Sequence, residues 1–233
     1  TDFAKEGLFN MLENRVEFGE LNILDLCSGT GNISFEFISR DAGTLTAVDE
    51  VKAIADLGIP LVSSTHARGV LADSHPRTLG AFHNSAAVEQ LIKDADLLVV
   101  VGSRLRSNET KTYSVAFPEN IIQVDANPVA QQRNYKVAQF ICAEAKDTLA
   151  RVVKAFSGTS KVDATYDAEI QSARENAIEA LRTQMDQYAL ICDHLRTALP
   201  EDGIFVRDIT MSGSTWGSRL FPVQTPNKNI HSL

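Results

Sequence analysis

The chain has 233 residues, 44% hydrophobic and 22% charged, which is typical of a globular protein and long enough for one large α/β domain or two small ones. Its net charge of -8 argues against non-specific binding to polyanions, because neutralising phosphates requires a basic surface. Cys27, Cys142 and Cys192 are far apart and lack a CxxC spacing, so we expect reduced thiols rather than a disulfide or zinc site. No run reaches the ~18 apolar residues of a membrane span and no signal peptide opens the chain, so we expect a soluble, cytoplasmic protein.

Strand and helix patterns alternate from the start of the chain. A short amphipathic helix is predicted over residues 3–12, followed by the strand "LNILDL", the helix "NISFEFISR" and the strand "TLTAVDE". The helix "VKAIADLG" is expected to end at Gly58. A third strand, "IPLVSST", then leads into the long loop "HARGVLADSHPRTLGAF".

The middle of the chain continues this alternation. The helix "AAVEQLIKDA" precedes "DLLVVVGS", whose apolar β-branched run is typical of a strand buried in a parallel sheet. "NIIQVDANP" and "AQFICAEA" predict two more strands, and "KDTLARVVKAF" predicts a helix. The pattern predicts an α/β fold with a doubly wound parallel, Rossmann-like sheet and ligands at the carboxyl ends of its strands.

The last part of the chain is predicted to be helical and then irregular. Residues 157–166 are polar and aperiodic, so we expect a linker there. A long helical segment follows to about Leu199 with a break near Thr183, and "GIFVRDIT" is a final strand. Beyond Asp208 we expect an incomplete, poorly packed C-terminal segment.

The turn in "LDLCSGTGN" has the features of a nucleotide-binding opening. Gly29 and Gly31 permit a sharp turn and a close approach of the backbone to a ligand. The following helix presents free N–H groups to an anion, and Asp49, at the end of the next strand, is placed to accept hydrogen bonds from a ribose. Asp25 precedes the turn and would meet the charged end of the ligand. The spacing is not GxGxxG, which argues against a dinucleotide site.

With "TDFAKEGLFNML" in front of this turn, residues 1–50 resemble the opening of the small-subunit (16S) ribosomal RNA guanine-N2 methyltransferases. Phe9-Asn10 and the turn residues carry the resemblance, which implies S-adenosylmethionine bound at residues 25–49. It also implies ribosomal RNA as substrate, the one case in which we expect a nucleic-acid partner.

The methyltransferase resemblance is incomplete. The family implies an Asn/Asp-Pro-Pro-aromatic motif that holds the target amine, whereas Asn127-Pro128-Val129 lacks the second proline and the aromatic residue. A methyl donor without that clamp performs no directed chemistry, because orientation supplies much of the rate.

Four motifs follow one another from Val51 onward: "ADLGIPLVSSTHARGVLADSHPRTLG", "DADLLVVVGSRL", "IIQVDANP" and "ICAEAKDTLARVV". In that order they resemble the central domain of thiamine-diphosphate-dependent enzymes of the acetolactate synthase and benzoylformate decarboxylase superfamily. "LRTALPEDGIFVRDITMSGSTW" is similar to the entry of the pyrophosphate-binding domain. The resemblance implies a chimera-like chain: a methyltransferase-like βαβ opening (1–50), a Rossmann-like central domain (51–156), the linker, and a helix with the truncated start of the pyrophosphate-binding domain (167–233).

The central domain of this superfamily binds FAD or ADP in some members and nothing in others. The residues that would line such a site follow the predicted strands; they are Thr65, Gly69, Gly102, Arg104 and Asp125. Arg104 would bind a phosphate and Asp125 a ribose. The three histidines at 66, 75 and 83 fit no metal motif, so no metal ligand is predicted.

Thiamine diphosphate and Mg²⁺ are implied by the family, but two parts of that machinery are not found in the chain. These are an N-terminal glutamate that activates the cofactor and a Gly-Asp-Gly…Asn motif that holds metal and diphosphate. No catalytic residue is therefore predicted, and the isolated chain is expected to be inactive. A 2-oxo acid decarboxylase or synthase, a methyltransferase and a nucleotide-binding module without chemistry all stay open, as does homo-oligomerisation.

Overall fold

The computed structural model describes most of the chain from residue 50 onward and two short strands before it. The described residues are 22–25, 44–47, 50–156, 164–208, 210, 213, 215–225 and 228–231. Strands β1 (Asn22–Asp25) and β2 (Thr44–Ala47) pair in parallel, with Asn22 opposite Thr44. Both were predicted. The predicted helix over 3–12, the glycine turn and the helix after it lie outside the described residues.

A three-stranded parallel sheet forms the centre of the fold, in the order β3-β4-β5. Its strands are β3 (Leu98–Val101), β4 (Ile121–Asp125) and β5 (Gln139–Cys142). Together with the flanking helices it confirms the predicted α/β, Rossmann-like fold. Because the strands are parallel, Gly102 after β3 and Asp125 at the end of β4 lie at the same edge of the sheet, where ligands are expected.

The expectation that β3 is buried along its length is wrong. Only Val100 in this strand is buried, packed with Ile121 and Val137, whereas Val99 is 48% exposed. Val99 and Val101 point to the opposite face of the sheet from Val100, and on that face they stay exposed or half-buried.

Three helices accompany this part of the chain: α1 (Glu50–Asp56), α2 (Ala86–Lys93) and α3 (Ala145–Phe156). Helix α1 packs against α3, and α2 buries Val88 and Ile92. The chain leaves α1 through Gly58 at φ 91°, a left-handed conformation that favours glycine and confirms the predicted helix end.

The predicted strand "IPLVSST" is not a strand. It forms a single parallel bridge between Leu61 and Thr78, supported by hydrogen bonds from Leu61 N to the Arg77 carbonyl and from Leu79 N to the Leu61 carbonyl, both at 2.8 Å. A further bond of 3.0 Å runs from Ser63 N to the Gly80 carbonyl, so the segment pairs with the following loop and not with the sheet.

The predicted long helical segment is two helices, α4 (Ala164–Met185) and α5 (Gln187–Ala198). They are separated at Asp186, which has φ 48°, so the expected break exists and lies three positions after Thr183. Beyond them β6 (Phe205–Arg207) pairs in parallel with β7 (Asn229–His231), and the short helix α6 (Trp216–Arg219) lies between. No helix within the described ranges is both long and apolar enough to cross a membrane.

The expectation of a poorly packed tail is wrong for its described residues. Trp216, Leu220 and Phe221 belong to the main core with residues of α2, α4 and α5. The ring of Phe221 stacks on Phe205 at a centroid distance of 4.0 Å, and the Arg196 guanidinium lies 5.1 Å above it. The tail therefore completes the core.

Candidate functional site

The loop that follows β3 forms one wall of a cleft at the carboxyl edge of the sheet. It begins at Gly102, whose φ of 63° is a conformation that favours glycine, and Gly102 N donates to the Val124 carbonyl at 2.9 Å. A Cβ at Gly102 would meet no atom within 4 Å, so this side of the backbone is open.

Hydrogen bonds to the backbone fix the shape of residues 102–109, here called the arginine loop. The buried Gln123 donates its Nε2 to the Ser103 carbonyl at 3.0 Å, and Asn134 donates its Nδ2 to the Arg104 carbonyl at 2.5 Å. Arg106 N donates to Glu109 Oε2 at 3.2 Å. These bonds hold the two arginines of the loop at the mouth of the cleft.

A tight turn over residues 64–67, here called the histidine wall, faces the arginine loop. Ala67 N donates to Ser64 Oγ at 3.1 Å, which sets the shape of the turn, and Thr65 Oγ1 lies 3.5 Å from His66 Nδ1. The Thr65 carbonyl accepts a hydrogen bond of 2.7 Å from the Arg207 guanidinium. The wall is thus joined to strand β6.

The two elements enclose a cleft of about 320 Å³. Its lining consists of Ser64, His66, Ala67, Gly102, Ser103, Arg104, Arg106 and Glu109. A second depression of about 670 Å³ shares Arg104 and Arg106 and is completed by Ser107, Asn108, Thr112, Tyr113, Arg133 and Asn134. Because they share these two arginines, the two depressions are neighbouring parts of one surface.

Positive charge dominates this surface. Arg106 lies 3.6 Å from Glu109 in a weak ion pair, while Arg104 and Arg133 form no ion pair or side-chain hydrogen bond with any part of the chain that the structure describes. Two of three guanidiniums are therefore available to a ligand. Guanidinium groups bind phosphates and carboxylates through charge-assisted, often bidentate hydrogen bonds, so the site is suited to an anion.

Two histidines near the arginine loop are held in the neutral form. Burial, and then the charge of Arg106, lower the pKa of His66. His83 donates its Nε2 to the Glu109 carbonyl at 2.5 Å, and burial lowers its pKa although this carbonyl acts in the opposite direction. His66 therefore contributes a neutral, hydrogen-bonding ring to the lining of the cleft. His83 does not line the cleft and holds Glu109 through its hydrogen bond to the Glu109 carbonyl.

The structure brings together some of the residues predicted for a central-domain site. Gly102 and Arg104 line the cleft, and Thr65 is part of the histidine wall through its backbone. Gly69 is buried at φ 93° and does not line the cleft. Asp125 accepts a hydrogen bond of 2.8 Å from Asn127 N in a local turn and does not line it either.

The residues predicted for the S-adenosylmethionine site are mostly outside the described part of the chain. Asp25 is the last residue of β1, and Gly29, Gly31 and Asp49 lie beyond the described residues. That site stays a prediction.

Sequence reasoning missed several residues of the cleft, namely Ser64, His66, Ser103, Arg106, Glu109 and Arg133. The pattern "SRLRS" directly after β3 carries a usable signal, because two arginines alternate there at the end of a parallel strand.

The fold and the cleft define a class of protein: a Rossmann-like α/β domain with an arginine-lined cleft at the carboxyl ends of its strands. Comparison with known families is more specific. Residues 38–152 match the model of the thiamine pyrophosphate enzyme central domain. The match begins at Ile38, upstream of the boundary predicted near Val51, and it includes strand β2.

Curated relatives agree with this match. A probable 2-ketoarginine decarboxylase of Pseudomonas aeruginosa is 24% identical over 190 residues, 81% of this chain and 34% of the relative. An acetolactate synthase of Mycobacterium avium is 30% identical over 112 residues, 46% of this chain and 18% of the relative. The acetolactate synthase isozyme 1 large subunit of Escherichia coli is 21% identical over 220 residues, 92% of this chain and 39% of the relative.

These comparisons support the thiamine-diphosphate-dependent enzyme superfamily, as the resemblance of residues 51–233 implied. The chain spans well under half of the length of these relatives. Nothing in the comparisons supports the methyltransferase resemblance or a chimera, and those interpretations stay predictions.

Proposed function

We propose that the chain is part of a thiamine-diphosphate-dependent 2-oxo acid decarboxylase or synthase, and that the cleft of its central domain binds the diphosphate of an adenine nucleotide such as ADP or FAD. The relatives named decarboxylase and acetolactate synthase support the reaction class. The bound nucleotide would serve this domain as a structural or regulatory ligand.

The observation that carries the nucleotide proposal is the pair of arginines without ion-pair partners, Arg104 and Arg133, beside the weakly paired Arg106. An anion that binds among these three guanidiniums would reduce their mutual repulsion, since like charges repel at short range. A diphosphate would be held by Arg104 and Arg106. The ring of Tyr113, 48% exposed in the neighbouring depression, provides a flat apolar surface for a base.

No residue is assigned to thiamine diphosphate itself, because the Gly-Asp-Gly…Asn motif that the family implies for its diphosphate is not found in the sequence. Within the described residues no group of three His, Cys, Asp or Glu side chains is arranged to hold a metal ion. No catalytic step is therefore assigned to them.

Calorimetric titration with ADP, FAD, S-adenosylhomocysteine and thiamine diphosphate tests this proposal. We expect ADP or FAD to bind, and Arg104→Ala to weaken binding about ten- to a hundredfold, because a hydrogen bond to a charged group contributes ~1.5–3 kcal/mol. Higher salt concentration should also weaken binding, since the arginines are exposed to solvent.

Arg151→Ala is the matched control, because Arg151 is an exposed arginine on α3 that does not line the cleft. It should bind ADP like the unmodified chain. If Asp49→Ala abolishes binding while Arg104→Ala has no effect, the ligand lies at the N-terminal turn and the proposal is wrong. Binding of S-adenosylhomocysteine alone would favour the methyltransferase interpretation.

A further inference from the structure

The loop that carries the histidine wall is joined to the C-terminal part of the chain by side chains buried between them. The C-terminal part meant here is β6, α6, β7 and the described residues that connect them, named the tail segment below. The Thr65 carbonyl accepts from Arg207 at 2.7 Å, and Asn229 donates its Nδ2 to the Arg68 carbonyl at 3.4 Å. The wall of the cleft is therefore built onto residues more than a hundred positions away in sequence.

Arg207 is the centre of this junction. Its side chain is buried, with the residue 4% exposed, and all three guanidinium nitrogens donate: Nε to Asn229 Oδ1 at 3.1 Å, Nη1 to the Gly213 carbonyl at 2.8 Å, and Nη2 to the Thr65 carbonyl. Burying a cation is costly unless its donors are satisfied, and none of these acceptors carries a formal charge. Burial, and then the charge of Arg68, lower the pKa of Arg207 to about 10.

A second connection lies beside the first. The buried Asp73 carboxylate pairs with Arg68 and accepts a hydrogen bond of 2.7 Å from Val223 N, while Asp73 N donates to the Val223 carbonyl at 2.8 Å. This connection anchors the loop at Asp73, several residues after the histidine wall. Arg207 is the residue that reaches the wall itself.

The position of Thr65 makes this bond important for the cleft. Thr65 lies between Ser64 and His66, and both neighbours line the cleft. The bonds from Ala67 N to Ser64 set the internal shape of the turn but do not place it relative to the arginine loop. Before the turn, Ser63 N donates to the Gly80 carbonyl at 3.0 Å, and inside the turn the bond from Arg207 holds the Thr65 carbonyl.

We propose that Arg207 is a positioning residue for the cleft: by holding the Thr65 carbonyl it places Ser64 and His66 opposite the arginine loop, so that affinity for the anionic ligand depends on a residue that does not line the cleft. This inference rests on the proposed function for its ligand. It also predicts that the tail segment and the cleft are energetically linked, because Arg207 belongs to the tail segment and is bonded to the wall of the cleft.

Arg196 provides a matched control. It too donates to backbone carbonyls, those of Leu199 at 2.6 Å, Pro200 at 2.5 Å and Pro222 at 3.1 Å, and so anchors the tail segment. None of these partners lines the cleft. A lysine at either position keeps a long basic side chain but cannot make all three bonds, so both variants remove the anchor with a small change in volume.

The test compares Arg207→Lys with Arg196→Lys in the full chain by three measurements: thermal unfolding, amide hydrogen exchange of residues 64–67 without ligand, and the dissociation constant of ADP. We expect both variants to lower the unfolding temperature. Only Arg207→Lys should speed exchange in the histidine wall, by about tenfold or more, and weaken ADP binding by a similar factor. In Arg196→Lys both of these quantities should match the unmodified chain.

Asn229→Ala is a milder second variant, because it removes the acceptor of Arg207 Nε and the donor to the Arg68 carbonyl but leaves the bond from Arg207 to Thr65 in place. It should cause a smaller increase in exchange at the same amides. Unchanged exchange at residues 64–67 in both folded variants overturns the positioning role. If the unmodified chain does not bind ADP, the proposed function fails, while the exchange measurement still decides whether Arg207 positions the wall.

Discussion

His83 lies beneath the arginine loop, where its Nε2 donates to the Glu109 carbonyl at 2.5 Å. Glu109 in turn accepts from Arg106 N, so the histidine is connected to the cleft through a single residue. Burial lowers the pKa of His83, which keeps the ring neutral in the folded protein. Protonation of His83 is therefore unfavourable in the folded protein, because the surroundings of the ring disfavour its charged form.

This environment predicts a pH dependence of folding stability. The unfolded chain binds a proton at His83 near its ordinary pKa of 6.5, whereas the folded chain binds it only at lower pH. The unfolded state therefore holds more protons below pH 6.5, and the free energy of unfolding decreases as the pH falls through this range. Urea unfolding at several pH values between about 8 and 5 should show a steeper loss for the unmodified chain than for His83→Gln.

Above pH 7 the unmodified chain and His83→Gln both have a neutral residue at position 83. The difference between their free energies of unfolding should therefore be constant there. Equal slopes for the two proteins below pH 6.5 would show that His83 does not contribute to the pH dependence.

At the scale of elements, the junction between α4 and α5 is the clearest case of local strain. Asp186 has φ 48° and ψ -122°, and its side chain makes no capping hydrogen bond to α5. A residue with a Cβ is strained in this region of backbone conformation, which glycine adopts easily. The helix pair is retained because Ile170, Ala173, Ala177, Ala189 and Cys192 join one core.

Replacing Asp186 by glycine should therefore stabilise the protein. Relief of strain of ~1–3 kcal/mol, less the larger entropy of glycine in the unfolded chain, leaves an expected gain of about 1 kcal/mol in the free energy of unfolding. Chemical denaturation measures this directly. The control is Thr183→Gly within α4, which should lose about 0.3 kcal/mol, since in a helix interior glycine is ~1 kcal/mol and threonine ~0.7 kcal/mol less favourable than alanine.

A loss of stability in Asp186→Gly as large as that in Thr183→Gly would show that position 186 carries no strain.

The strands and helix ends that could be predicted are those that a local sequence pattern determines. Apolar runs identified β3, β4 and β5, and the glycine at position 58 identified the end of α1. "IPLVSST" has the same pattern, but its pairing with Arg77 and Leu79 depends on the path of the loop, which the pattern does not contain. The tail was misjudged because the partners of Trp216 and Phe221 lie in distant helices.

The cleft was predictable only in part for the same reason. Arg104 follows a strand and was found, whereas Ser64 and His66 are brought to it by tertiary contacts through Arg207. Hydrogen bonds between side chains and distant carbonyls have no periodicity in sequence, so such a junction is recognised only in three dimensions.

At the scale of the whole molecule, apolar side chains stay uncovered on several elements. Val99 on β3, Leu190 on α5 and Val206 on β6 are 48%, 58% and 66% exposed. The chain spans well under half of the relatives it matches, and its homo-oligomerisation remains a prediction. The central claim concerns the cleft, which lies within the segment matched to the thiamine pyrophosphate enzyme central domain.

A crystal structure of the chain grown with saturating ADP tests that claim most directly. We predict electron density for the nucleotide in the cleft between the histidine wall and the arginine loop, with its phosphates contacting Arg104 and Arg106. Density for ADP beside residues 25–49, or a well-ordered cleft without nucleotide at saturating ADP, would contradict the account.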